Sequence, residues 1–415
     1  MFLHRRSFLK STFAGTGLVA YGLSSPQFLT RAAAATPLLD AKGSRDTILV
    51  VVQLTGGNDG LNTVIPFNDP LYAASRPTLK QKPSDIKKLN KDIGLHPVLQ
   101  GLAELFNEQA LTIVQGVGYP NPNQSHFTSM DIWHSARLDG PYSDGWLGRS
   151  LGHFKQGSGS GYHLGNQGEA SPLALTGSIK CPTITSLADM ELRASGHTNL
   201  DRKHQREIIE KSGQASVTES SSLLDYVQRT SAGTFSTVKK LREIAKNYDS
   251  KVPYPANRLA ERLKLAAQLI DVEIGARIFY VEQDGYDTHA DQAGNHSRLL
   301  TELSSALTAF YRDLKARGHA KRVVILTFSE FGRRVKENGS QGTDHGAAAP
   351  VFLLGESVNG GLVGAHPRLD KLDDGNLIHH TDFRSIYSTI LDQWLGVPSN
   401  KIVGQFQNLQ LLKKT

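Results

Sequence analysis

The sequence predicts an α/β domain built on a mostly parallel sheet, on three observations. Short runs of β-branched and aliphatic residues recur along the chain almost without polar interruption, as strands buried on both faces require. Segments with apolar residues at helical spacing lie between them. Polar and glycine-rich clusters follow the strands, which is where an open α/β sheet gathers its ligands.

The first strand is expected over 47–54 (TILVVVQL), stopped by the turn cluster Thr55-Gly56-Gly57-Asn58-Asp59-Gly60. Val98, Leu102, Leu105 and Phe106 give a helix over 98–109, and LTIVQGVG at 111–118 reads as a second buried strand. A Gly- and Ser-rich stretch over 152–170 then breaks the alternation. Residues 199–250 are polar, charged and helical in pattern, so 190–250 is expected to be a helical insertion or cap over the sheet edge. The pattern resumes with helices over 258–274 and 297–317, the apolar run ARIFYVE at 276–282, and strands at 322–328 (RVVILTF) and 350–354 (PVFLL). There is no internal repeat and no heptad pattern. One domain is expected over 46–398.

Composition narrows the function. A chain of 415 residues, 39% hydrophobic and 20% charged, is long enough for a core without disulfides. The single Cys181 excludes an intramolecular disulfide, Cys-based zinc fingers and iron–sulfur clusters. Of the net charge of +7, four positive charges (Arg5, Arg6, Lys10 and Arg31) lie in the first 35 residues, which carry no acid. The remaining +3, with no long Lys/Arg run, gives no electrostatic case for nucleic acid.

Those first residues read as an address. Arg5-Arg6 is followed by Ser7, Phe8, Leu9 and Lys10, then a weakly apolar stretch, then an A-x-A cleavage pattern at Ala33 and Ala35. This is the shape of a twin-arginine signal over 1–35, predicting periplasmic or secreted protein. An N-terminal membrane anchor is the alternative, but the run is short and interrupted by Gly15, Gly17, Gly22, Ser24 and Ser25. No later stretch is apolar and long enough to span a bilayer.

Candidate chemistry sits at the strand ends. The first strand is followed by Asn58-Asp59, the second by 119–126 with Ser125 and His126, and ARIFYVE by Asp287, Thr288 and His289. The strand at 322–328 is followed by Ser329-Glu330-Phe331-Gly332-Arg333, and Asp344-His345-Gly346 comes just before the last strand. If these strands are neighbours, carboxylates and imidazoles crowd together, and a divalent cation is the economical neutraliser. Asp59, Asp287, His289, Glu330 and His345 are the expected ligands, for one or two ions of Zn²⁺, Mn²⁺, Mg²⁺ or Ca²⁺. Ser125 precedes a helix start, which favours an anion and a nucleophilic hydroxyl, and Arg333 could hold an anionic oxygen. Plainer readings stand beside these. Asp59 could be a turn residue, Ser125 an N-cap, Asp287 and His289 a loop hydrogen-bond pair, Glu330 and Arg333 an ion pair, and His126 and His134 satisfied histidines. Gly148-Arg149-Ser150-Leu151-Gly152 fits G-x-S-x-G by letters but follows no strand. There is no Walker A and no H-E-x-x-H.

VVVQLTGGNDGLNTVIP, VQGVGYPNPNQSHFTSMDIWHS, TFSEFGRRVKENGSQGTDHGAAAPVFLLG and TDFRSIYSTILDQWLG resemble the domain-of-unknown-function 1501 family, over about residues 46–398. The resemblance implies a three-layer α/β/α sandwich similar to alkaline phosphatase and sulfatases, a superfamily with two divalent metals and a hydroxyl nucleophile at a helix start. It places Asp59 as the first-strand metal ligand, Ser125 as the nucleophile, Asp287 and His289 as a ligand cluster and His345 as the late ligand. Glu330 and Phe331 fall where the superfamily has an Asp-His pair, and a phenyl ring ligates no metal. The expected function is therefore an exported metal-dependent hydrolase of phosphate or sulfate esters. The alternative is a non-catalytic binding or assembly protein on the same scaffold, partnered by the often neighbouring family numbered 1800. A carbohydrate or sulfated-glycan ligand is a third possibility, given several Trp and Tyr near the loops.

Overall fold

The computed structural model describes residues 46–154, 160–166, 169–186 and 247–413. The chain divides into two compact units, 44–185 with 249–415 and 1–43 with 186–248, and the described residues lie almost wholly in the first. The expected signal over 1–35, and all but the last four residues of the expected insertion over 190–250, lie outside the described residues.

Seven strands and a two-residue addition make the main sheet: β1 (Ile48–Thr55), β2 (Leu111–Gly118), β3 (Ser160–His163), β4 (Ala276–Asp284), β5 (Val323–Phe328), β6 (Ala349–Leu354), β7 (Gly361–Val363) and β8 (Thr381–Asp382). Their order is β7-β2-β6-β5-β1-β4-β3, with β8 beside β2. Every pairing is parallel except the two made by β6, which runs antiparallel to both β2 and β5. That single reversal has a functional consequence. The C-terminal ends of β1, β2, β4 and β5 share one sheet edge with the N-terminal end of β6. Residues before β6 therefore meet residues after the other strands.

Alternation along β1 builds the three layers. Leu49 and Val51 face a cluster that includes Trp133 of α3 (His126–Ser135) and Phe383 and Tyr387 of the helix Phe383–Thr389. Ile48, Val50 and Val52, at most 2% exposed, point to the other face. That face carries α1 (Arg258–Asp271) and α2 (Gln292–Ala316), packed on each other, with α1 on β4. Helix α3 is pinned by Trp133, stacked between Phe328 (5.2 Å) and Phe383 (4.4 Å). Burying side chains of this size contributes roughly 1.5–3 kcal/mol each, so the start of α3 is held firmly against the sheet.

Two elements differ from expectation for physical reasons. Helix α2 begins at Gln292, five residues before the apolar pattern, because its first turn buries polar Gln292 and His296 instead. Strand β3 lies inside the Gly/Ser-rich stretch, an edge strand of four residues held by its parallel register with β4. Among the described residues, no helix is long and apolar enough to cross a membrane.

Candidate functional site

The turn after β1 sets the floor of the site. Gly56 and Gly57 both have positive φ (115° and 75°), open to glycine at little cost. The chain also leaves no room for a side chain there. A Cβ on Gly56 would stand 2.4 Å from the Asp287 nitrogen, and one on Gly57 would stand 2.3 Å from the Phe331 ring. The loop after β1 is thus packed against the backbone of the loop after β4 and against the Phe331 ring that follows β5.

Over that floor three imidazoles and a carboxylate converge. His126 opens α3, Asp287 and His289 follow β4, and His345 precedes β6, held by an antiparallel bridge to Arg333. Metal-binding atoms of His126, Asp287 and His345 lie within 4.8 Å of one another. His289 Nε2 is 2.9 Å from His345 Nε2 and 3.0 Å from Asp287 Oδ1. His345 Nε2 is 3.2 Å from Asp287 Oδ1, and His126 Nε2 is 3.5 Å from Asp287 Oδ2. Atoms bound at 2.0–2.1 Å to one tetrahedral cation stand about 3.3 Å apart, and these separations bracket that value.

The tautomers sharpen the picture. His126 Nδ1–H donates to buried Glu330 Oε1 at 2.9 Å, and His345 Nδ1–H donates to the Gln124 carbonyl at 2.8 Å. With Nδ1–H engaged in this way, each ring in its neutral form turns a bare Nε2 lone pair into the cluster. His126 Nε2 is buried and has no hydrogen-bond partner. A proton on one ring or a cation between them relieves the repulsion of nitrogen and carboxylate lone pairs facing one another, and a donor set rich in imidazole suits a late first-row divalent ion such as Zn²⁺. The residues fit a metal.

The charge environment shapes the cluster. Burial alone would raise the Asp287 carboxyl, but the hydrogen bond and charge of Arg333 outweigh it and hold it at about 2. His126 is raised, chiefly by its hydrogen bond to Glu330, so a proton and a cation compete for its Nε2. His345 is lowered by burial, which favours the neutral ring a ligand needs. Phe331, 2% exposed, walls the cluster, its ring 4.9 Å from that of His126 and 4.7 Å from that of His345.

A family model described as "Protein of unknown function (DUF1501)" matches residues 46–411. The chain belongs to the DUF1501 family. No curated protein sequence matches it. Among solved structures it is similar to a sulfatase from Pseudoalteromonas sp., at 13% identity and a TM-score of 0.39, covering 92% of this chain and 74% of that one. It is also similar to the lipoteichoic acid synthase LtaP from Listeria monocytogenes, at 11% identity and a TM-score of 0.35, covering 90% and 78%. A third is alkaline phosphatase from the Antarctic bacterium TAB5, at 11% identity and a TM-score of 0.29, covering 75% and 92%.

The remaining expected site residues of this DUF1501 chain fall into three groups. Ser125 is exposed at the N-cap of α3, and its hydroxyl makes no capping bond. It is the neighbour of His126, and its own N–H is taken by Asn123 Oδ1 at 2.8 Å. Asp59 and Glu330, expected as ligands, are fully buried and occupied. Asp59 accepts from Arg76 Nη1 (2.6 Å) and Nη2 (3.1 Å), from Gln292 Nε2 (2.5 Å) and from the Asn62 N–H (3.3 Å), which uses both oxygens fully. Glu330 accepts from the Gly56 N–H (2.8 Å) and orients His126. Neither bonds to an imidazole lone pair, so both stand outside the converging set.

Arg333 is corrected outright as an anion holder. Its guanidinium is buried and donates to the carbonyls of Gly57 (2.7 Å), Thr343 (2.8 Å) and Tyr286 (3.1 Å), to that of Gly56, and to Asp287 Oδ1 (2.7 Å). It clamps three loops and, at 1% exposure, is enclosed away from substrate. Nor does it pair with Glu330. His126 is the residue that sequence reading passed over as a ligand; its position beside Ser125 at a helix start was the available signal. Ser150 is buried inside a helix and bonds to the Leu147 carbonyl at 2.7 Å, so it is structural.

Proposed function

We propose that this chain is a metal-dependent hydrolase of phosphate or sulfate esters. The observation that carries the reading is the convergence of the metal-binding atoms of His126, Asp287 and His345 at the start of α3, where exposed and uncapped Ser125 is the residue next in the chain. His126, Asp287 and His345 would hold the ion, with His289 in reach of two of them. A divalent ion bound there supplies Lewis acidity toward an ester oxygen and toward a hydroxyl. Ser125 is the nucleophile: its oxygen bonds to phosphorus or sulfur as the alcohol leaves, and water then releases the serine ester. The N-terminus of α3 favours the anionic group in that position. Glu330 keeps the His126 ring fixed, and Phe331 keeps water from its flank. Hydrolysis of p-nitrophenyl phosphate and p-nitrophenyl sulfate tests the reading. Activity should fall on chelation, return with added metal, and be lost in Ser125→Ala while metal content persists. Full activity in Ser125→Ala rejects the nucleophile.

A second reading, a binding or assembly protein, is favoured by Phe127, 87% exposed in the first turn of α3. Its mark would be a stable complex with a protein of the family numbered 1800 and no bound metal. For either reading we propose twin-arginine export. N-terminal sequencing of protein recovered outside the cytoplasm should begin after Ala35; an intact Met1 there contradicts it.

A further inference from the structure

We infer that this site takes one divalent cation and not two, because a buried guanidinium already fills the position that Asp59 would offer to a second. The inference rests on the metal-dependent reading above. Asp59 caps the turn after the central strand, where a ligand carboxylate is best placed, yet it is 0% exposed and its partner Arg76 is equally enclosed. Arg76 is locked from behind as well, its Nε donating to the Val335 carbonyl (2.6 Å) and its Nη2 to the Arg334 carbonyl (2.9 Å).

The surrounding donors are spent in the same way. Gln292 Oε1 accepts from Thr288 (2.9 Å) and Thr343 (2.6 Å), while His296 Nε2 meets Asn58 Oδ1 at 2.9 Å. Among the described residues, no side-chain atom of Asp59, Arg76, Gln292 or His296 is buried without a hydrogen-bond partner. On the other side of Arg333, His126 Nε2 is buried without a partner. Displacing Arg76 with a cation would strand a buried guanidinium, which is costlier than leaving the pair intact.

Charge balance gives the same count. Arg76 pairs with Asp59 and Arg333 with Asp287, while Glu330 and Asp344 meet the imidazoles of His126 and His289 instead. Arg334 is matched separately by Asp374 at 3.0 Å. With neutral imidazoles, four carboxylates against two guanidiniums leave two negative charges, which one divalent ion neutralises and two would overshoot. The layer behind the cluster is thus a built-in cation site filled by the chain itself.

Native mass spectrometry of the full chain, titrated with Zn²⁺, tests this. One equivalent is expected in the wild type and in Asp59→Asn, with affinity unchanged within about threefold. His345→Ala should weaken binding by more than about 100-fold, beyond the usual cost of an outer-shell loss. Two equivalents in the wild type, with one lost in Asp59→Asn, would overturn the inference while leaving the metal-dependent reading intact. No bound ion at all would overturn that reading, and this inference with it. Because Asp59→Asn leaves Arg76 half-paired and could unfold, wild-type protein loaded with Mn²⁺ gives an independent answer. Its electron paramagnetic resonance should be that of an isolated ion; a spin-coupled pair contradicts the proposal.

Discussion

At the scale of single residues, the site depends on which nitrogen of each imidazole holds a proton. Glu330 fixes that choice for His126 and the Gln124 carbonyl fixes it for His345. Glu330→Gln keeps an acceptor but removes the charge that makes Nε2 more basic. Metal affinity should fall by about 10–100-fold with the fold unchanged, measured by competition with a coloured chelator. Unaltered affinity would show that Glu330 does not act through His126. The meeting of Asp287, His289 and His345 was legible because each follows or precedes a strand at the shared edge. His126 was not singled out because one histidine at a helix start looks the same whether it is a ligand or a surface residue. Asp59 was misjudged because nothing in the TGGNDG turn tells of Arg76, seventeen residues on, reaching back into it.

At the scale of elements, the strands and their loops matter more than any one ligand. The buried strands were read from their β-branched runs to within about two residues, since burial on both faces leaves little freedom of composition. Edge strand β3 and the first turn of α2 were not, because one is defined by pairing with β4 and the other by polar contacts with Asn58 and Asp59. The direction of β6 was equally hidden, although it is what returns His345 to the site. The TGG turn yields a direct expectation. Gly57→Ala places a methyl in the Phe331 ring at a φ of 75°, so stability should drop by about 1–3 kcal/mol in urea unfolding. An unchanged midpoint would mean that the loop packing is softer than described.

At the scale of the whole molecule, buried imidazoles tie stability to pH. Burial lowers His134 to about 3 and lowers His96 and His296 to about 4, against 6.5 for a free ring. The folded state holds these rings neutral, while the unfolded chain protonates them below pH 6.5. Their contribution is complete above pH 6.5 and is lost as pH falls through about 4. Burial raises the Asp59 carboxyl, but Arg76 outweighs it and holds it at about 2 against 3.8, so that contribution disappears only at lower pH still. Urea midpoints of the metal-free protein should therefore fall between pH 7 and 4.5; a flat or rising trend would contradict the packing. The layered α/β architecture was readable from alternation of strand and helix, whereas the closed layer of Asp59, Arg76 and Gln292 exists only once the loops are assembled. The central claim is that His126, Asp287 and His345 share one cation, and X-ray absorption at the zinc edge of the zinc-loaded protein tests it most directly. Imidazole nitrogens and a carboxylate oxygen at about 2.0–2.2 Å are expected, with one imidazole fewer in His126→Ala. A shell of oxygen alone, unchanged by that substitution, would contradict it.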